Sequence, residues 1–247
     1  MRPSISIIVP ALNEEKNLKN TIDTILEAVN DRFSGFEIII FDDNSCDSTG
    51  RIAQELKASN KNIRVIHNPR TMGFGYNFKK GVEAARNNYI TMFPGDDDVK
   101  AGSMIDMFNL IGCADCIIGH TTNIPCDRPL WRRVISRIFT ICMNAAFGLD
   151  LKYYNGIVIH RTDIIKNVSL TTYGFAFQAE ALTKILRSGR SFAEVGIELK
   201  GRRYGRTSAF KIKNVISVAK TALRLFWIVN IKERKRYGEK GKRAASC

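Results

Sequence analysis

The sequence predicts an α/β protein with a mostly parallel central sheet and a C-terminal amphipathic helix. Three observations carry this expectation. Short β-branched runs alternate with helical periodicities through the first half of the chain, the pattern of parallel βαβ units. Two acidic clusters, Asp42-Asp43 and Asp96-Asp97-Asp98, each follow directly on an apolar run. After residue 210, polar side chains recur three to four residues apart and leave the opposite face apolar.

Each element has a local cause. Ile5, Ile7, Ile8 and Val9 make a short buried strand that Pro10 ends. Asn13 is placed to cap the next helix, with Glu14 and Glu15 where the helix dipole favours carboxylates. Leu18, Ile22, Ile25, Leu26 and Val29 form that helix's apolar face. A second strand covers residues 37–41, and Asp47 or Ser48 caps a helix through Ile52 and Leu56. A third strand covers 63–66. Gly73, Gly75 and Gly81 surround the start of a helix ending near Asn87, and a fourth strand covers 89–93. The second half is less regular, with strands expected at 114–119, 156–160 and 193–199 and helices at 131–147 and 177–186. The helix from 211 sets Lys213, Lys220 and Arg224 against Leu223, Phe226 and Trp227. A basic tail follows, from Lys232 to Arg243. That pattern suits a helix lying in the interface of an anionic membrane surface. Residues 1–210 are expected to form the main domain and 211–247 a membrane-peripheral appendage.

The chain has 247 residues, 45% hydrophobic content and a formal net charge of +14, with a pI near 9.7. That is enough for one sizeable core, and the basic excess points to an anionic partner. A nucleic-acid partner would leave both acidic clusters unexplained and lacks aromatic residues interleaved on a basic sheet. Cys113 and Cys116 form a lone CxxC with no second pair, which argues for reduced thiols over a zinc ribbon. His67, His120 and His160 show no ligand spacing. There is no GxSxG elbow, no GxxxxGK[ST] loop, and Gly73 and Gly75 do not complete GxGxxG. No signal-like segment precedes the first strand, and with reduced cysteines this points to the cytoplasm. The most apolar long stretch, residues 212–231, is interrupted by Lys213, Lys220 and Arg224.

Acidic residues after buried strands need a positive counterpart. In an open α/β sheet they face the crevice at the strands' carboxyl ends, where ligands bind. One or two carboxylates suffice for a hard divalent cation carrying a diphosphate, because phosphates and water complete its shell. Asp96 and Asp98 supply two such carboxylates one residue apart, and Asp97 with Asp98 is the alternative register. Asp42 and Asp43 would then face a nucleoside.

These motifs resemble the inverting family 2 glycosyltransferases of the GT-A fold. The residues from Val9 to Glu15 are similar to that family's opening strand and loop. The run from Asp42 to Thr49 resembles its DDxSxDxT signature, Gly73 and Gly75 its glycine segment, and Asp96-Asp97-Asp98 its DxD. An arginine-serine helix (Arg132, Arg133, Ser136) and a late segment from Arg202 to Thr207 look like the dolichol-phosphate mannose synthase and polyprenyl-phosphate branch. The resemblance covers roughly residues 4–210 and implies specific roles. Pro10, Leu12 and Glu14 line the nucleotide pocket, with Asp42 or Asp43 at base or ribose. Asp96 and Asp98 hold Mg²⁺ or Mn²⁺ on a GDP- or UDP-hexose. Arg132 or Arg133, with Arg202 and more weakly Arg128, contact donor or acceptor phosphates. Glu180 is the candidate general base for a hydroxyl acceptor, or an orienting group where the acceptor is a polyprenyl phosphate. Tyr153 to Gly156 depart from the family's DxxSG-like segment, and Ser208 stands where the late motif often has lysine. The expected enzyme is metal-dependent and peripheral at the cytoplasmic face of a membrane, as a monomer or an oligomer. A saccharide or protein hydroxyl acceptor, a nucleotidyltransferase and a nucleic-acid-binding protein are the competing readings.

Overall fold

A computed structural model describes residues 2–123, 130–201 and 212–244, with the side chains at 130, 132, 212 and 213 outside that description. Arg128 and Arg202 therefore lie outside the described residues, as does the side chain of Arg132. The first half alternates β1 (Ser4–Ala11), α1 (Leu18–Val29), β2 (Gly35–Asp42), α2 (Thr49–Ser59), β3 (Ile63–His67), α3 (Phe74–Ala84) and β4 (Tyr89–Met92). The second half adds α4 (Ala101–Asn109), β5 (Cys116–Thr121), α5 (Leu130–Phe147), β6 (Val158–Arg161), α6 (Thr162–Lys166), α7 (Phe177–Leu186), β7 (Phe192–Ile197) and α8 (Ile212–Trp227). A π-helical turn, Ile228–Lys232, extends α8. The periodicity reading did not anticipate α4 or α6. Both are short, and α4 buries only Ser103, Met104, Met107 and Phe108.

The seven strands lie in the order β3-β2-β1-β4-β6-β5-β7. All pairings are parallel except those of β6, which runs against β4 and β5. The expected mostly parallel α/β sheet is therefore present. Side-chain alternation separates two cores. Ile5, Ile7 and Val9 face α1 and α4, while Ile8 turns to α3 on the other layer. The strand order reverses at β1, which has β2 on one side and β4 on the other. Such a switch point opens a crevice at the carboxyl ends of the two strands.

One buried histidine gives the fold an acid sensitivity. His160 on β6 is fully buried, with Nδ1 3.4 Å from Cys116 Sγ and Nε2 3.0 Å from Gln178 Nε2. Burial lowers its pKa from 6.5 to about 3. The unfolded chain therefore binds this proton more readily than the folded one. Stability attributable to His160 is complete above pH 6.5 and falls as pH drops from there toward 3. At pH 5 the loss is about 2 kcal/mol. The stability lost between pH 7.5 and pH 5, read from denaturation at each pH, is expected to be smaller by about that amount in His160→Gln.

One expectation needs correction here. Cys113 is disulfide-bonded, so the thiols are not all reduced, while Cys46, Cys116 and Cys142 are free. Its partner is outside the described residues. The C-terminal segment up to Ala244 also folds back on the body. Phe192 N–H donates to Lys242 O and Ala244 N–H to Phe192 O, which lays the tail along the β7 edge. Arg243 pairs there with Glu194 and Asp150.

Candidate active site at the carboxyl edge of the sheet

The carboxyl ends of β2, β1 and β4 are neighbours, so both acidic clusters emerge on one edge. Ala11 is in register with Asp42, and Gly95 N–H donates to Pro10 O at 3.0 Å, drawing the β4 loop against the end of β1. Pro10 is buried under this contact and Leu12 is exposed at its rim.

Side chains of the 44–49 loop stitch the β1 and β2 loops together. Asn13 has φ 56° and does not cap α1, which begins at Leu18 with Asn17 as its N-cap residue. Instead Asn13 Oδ1 accepts from Cys46 N–H at 2.9 Å, and its own N–H donates to Ser45 Oγ at 3.0 Å. Glu14 N–H donates to Thr49 Oγ1, and Glu15 N–H to Asp47 Oδ2. In return Ser48 N–H donates to Glu15 Oε2. Ser45, Asp47 and Thr49 thus fix the two loops that frame the crevice. Desolvation pushes the Asp47 carboxyl up, but hydrogen bonds from Thr49 and the Glu15 amide outweigh it and hold it below its usual value.

Asp42 and Asp43 are both buried and do different work. Asp42 Oδ2 lies 2.9 Å from His67 Nδ1, and its Oδ1 accepts from Ser45 N–H at 3.1 Å. His67 is itself held 2.6 Å from Gln54 Nε2. Asp43 accepts from Asn68 Nδ2 and from the amides of Met72 and Gly73, at 2.7, 2.8 and 2.8 Å. Asn68 spends its second proton on Asn77 Oδ1. Asp43 thereby fixes the glycine-containing turn into α3, where Gly73 has φ 90°. Sequence reading missed His67 and Asn68. The signal lay in register: His67 ends β3 opposite Asp42.

The three aspartates after β4 diverge. Asp97, with φ 53°, receives Lys200 Nζ on Oδ1 at 2.7 Å and donates its amide to Thr21 Oγ1. Asp96 is buried. Asp98 is partly buried and its Oδ1 accepts from Gly201 N–H at 3.1 Å, while its carbonyl accepts from Lys200 N–H at 2.7 Å. Gly201 immediately precedes Arg202. Among the described residues no group of three His, Cys, Asp or Glu side chains is arranged to hold a metal. Two carboxylates suffice for a hard cation that takes its remaining ligands from phosphate and water.

Glu180, the candidate base or orienting group, stands on α7 and not on this edge. It is 2% exposed on α7, and its Oε1 accepts from Lys184 Nζ at 2.6 Å. Thr171 Oγ1 and the amides of Thr171 and Thr172 donate to the same carboxylate. Desolvation raises the carboxyl, yet the Lys184 ammonium and the threonine bonds outweigh it and hold the group below its usual range. The Thr171–Thr172 turn leads to Tyr173, whose carbonyl accepts from Gly75 N–H at 3.0 Å. A Cβ at Gly75 would stand 2.6 Å from the Tyr173 backbone, so this approach requires glycine. Glu180 therefore positions a loop on the first turn of α3, at Gly75, two residues past the Gly73 amide that Asp43 holds.

An α/β sheet with acidic loops at its switch point can receive a nucleoside diphosphate and its cation. This chain belongs to glycosyl transferase family 2, whose model matches residues 6–178. It is 23% identical over 239 residues to glycosyltransferase AglD of Haloferax volcanii, covering 93% of this chain and 38% of that protein. It is 24% identical over 210 residues to the undecaprenyl-phosphate mannosyltransferase of Micrococcus luteus, covering 80% and 84%. The glucosyl-3-phosphoglycerate synthase of Mycobacterium tuberculosis, solved with Mg²⁺ and UDP, superposes with a TM-score of 0.65 at 15% identity, over 96% of this chain and 80% of that one. The chain spans less than half the length of several curated relatives that it matches, AglD among them.

Proposed function

We propose that this chain is a metal-dependent inverting glycosyltransferase that moves a hexose from a GDP- or UDP-sugar to a polyprenyl phosphate at the cytoplasmic face of a membrane. The observation that carries the reading is the meeting of both acidic clusters at the β2-β1-β4 edge of a family 2 chain. The name of the Micrococcus relative supports a lipid phosphate acceptor.

Asp96 and Asp98 would hold Mg²⁺ or Mn²⁺ with the donor diphosphate, as two carboxylates one residue apart after β4. The cation, when bound, neutralises charge on the departing nucleoside diphosphate. Pro10, Leu12 and Glu14 form the nucleoside wall, Asp43 fixes the shape of the glycine turn, and Asp42 accepts from base or ribose. Arg202, directly after the Gly201 amide that Asp98 holds, and Arg132 or Arg133 draw phosphates into line. The acceptor phosphate is already ionised at neutral pH and attacks the anomeric carbon without a base. The saturation of Glu180 by Lys184, Thr171 and Thr172 favours this acceptor over a hydroxyl. Residues 1–210 serve as the catalytic domain and 211–247 as the peripheral membrane contact.

The test is a thermal-shift screen of UDP- and GDP-sugars with and without Mn²⁺, followed by transfer assays with polyprenyl phosphate and with a free saccharide. A matching donor at about a hundred times its Kd stabilises by ~2.7 kcal/mol, a rise of roughly 5–10 °C for a domain this size. The rise should require the cation. Absence of any shift with either nucleotide, or transfer to the saccharide alone, would contradict the reading.

A further inference from the structure

The outward faces of α5 and α8 leave an unusual amount of apolar surface in solvent. On α5, Trp131, Val134, Ile135, Ile138 and Ile141 are all exposed, at the three-to-four-residue spacing of a single helical stripe. On α8 and its π-helical extension, Ile216, Leu223, Phe226, Trp227 and Ile231 are exposed in the same way. The inward faces meet each other and α7 in one seam, through Phe139, Met143, Ala179, Val218, Ala222 and Leu225. Phe147 and Phe226 have ring centroids 6.4 Å apart, and Asn230 Nδ2 donates to Ala146 O at 3.1 Å. The two helices are therefore side by side over α7, and both stripes look away from the core.

Three features of these faces select the occupant. Neither helix carries an acidic residue, while Arg137, Lys220 and Arg224 are exposed among the apolar side chains. A second copy of the chain would bring like charges together in a low-dielectric contact. The segment 214–232 is long and apolar enough to cross a membrane, yet Leu225 and Val229 are buried against the body, which a spanning helix could not maintain. A cationic rim around apolar and aromatic side chains fits the interface of an anionic bilayer, with the helices lying in its plane. The surface also reaches the crevice. Ser217 Oγ stands 3.7 Å from where a side chain at Gly174 would begin, and the neighbouring Tyr173 carbonyl holds Gly75 at the first turn of α3.

We infer that α5 and α8 together form a membrane-docking plane, inserted to interfacial depth, and that α5 contributes as much of it as the C-terminal helix. This deepens the lipid-acceptor reading and rests on it only for its biological purpose. The chain's two tryptophans, Trp131 at 49% and Trp227 at 55% exposure, both sit in the plane, one on each helix. They report on it directly.

The experiment uses the full chain with vesicles of phosphatidylcholine and phosphatidylglycerol. Lipids brominated near the headgroup should quench the fluorescence of both tryptophans more than lipids brominated near the chain ends. Each signal is isolated by Trp131→Phe or Trp227→Phe. The double variant Ile138→Asp/Ile141→Asp alters only exposed positions, and should weaken vesicle binding about tenfold or more. Its shift with a cation-bound donor sugar should be unchanged. Vesicle binding without Trp131 quenching, or unaltered in the double variant, would overturn the inference, as would a dimer in sedimentation that the double variant dissociates. Transfer to detergent-dispersed acceptor is read separately. Its loss in the parent chain counts against the proposed reaction and leaves the docking plane standing.

Discussion

Replacing Asp98 with Asn is expected to reduce sugar transfer by roughly a thousandfold, the scale of several kcal/mol of metal-borne charge stabilisation. Asn is chosen because its carbonyl oxygen can still accept from Gly201 N–H, so the 200–201 segment keeps its anchor. What is removed is the negative charge. The melting temperature of the variant should stay near the parent's, and the Mn²⁺-dependent shift with donor sugar should vanish. Asp97→Asn gives the contrast. It breaks the partly exposed Lys200 pair, worth no more than about 1 kcal/mol, and should leave most transfer intact. If Asp97→Asn abolished transfer and Asp98→Asn did not, the metal pair would have been assigned in the wrong register.

Replacing Glu180 with Gln is expected to damage the fold before it reports on chemistry. Lys184 is 3% exposed, and the change leaves its ammonium buried without a counter-charge. Breaking such a pair costs about 3–5 kcal/mol. For a chain of this size that is a fall of about ten degrees or more in melting temperature. The double variant Glu180→Gln/Lys184→Met should recover much of the loss, because the orphan charge goes with it. The pH dependence carries the same sign. Glu180 has its folded pKa depressed below the usual 4.5, so its contribution is present above that value and lost as pH falls through the folded one. At a temperature where both proteins are folded, transfer by Glu180→Gln should remain within about tenfold of the parent. A fall of about a hundredfold or more would restore it as a general base. A melting temperature within about a degree of the parent's would remove the ion pair from the structural account.

Much of the first half was legible because its signals are local. Alternating apolar side chains place Ile7 and Ile8 on opposite layers, and the acidic runs mark where strands end. The corrections concern residues whose partners are distant in sequence. Asn13 looked like a helix cap because Glu14 and Glu15 follow it, but its amide and side chain are satisfied by Ser45 and Cys46. Glu180 was expected as a general base or an orienting group. Only packing shows that α7 is buried throughout and that Lys184, one turn on, neutralises it. The amphipathic pattern of the helix from 211 suits a membrane interface and packing on the core equally. Its packing against α5 and α7 decides which apolar residues are covered and which face outward.

The sequence by itself determined the α/β class, the family and the two acidic edges of the crevice, since strand periodicity and motif order are properties of neighbouring residues. Tertiary contacts set how the acidic residues divide their work: Asp43 fixing a turn, Asp97 drawn to Lys200, Asp98 accepting from the Gly201 amide. They also decided that α5 joins α8 in one outward apolar plane. These outcomes depend on which donors and faces folding brings within reach, over separations of about thirty to a hundred residues that no local pattern encodes.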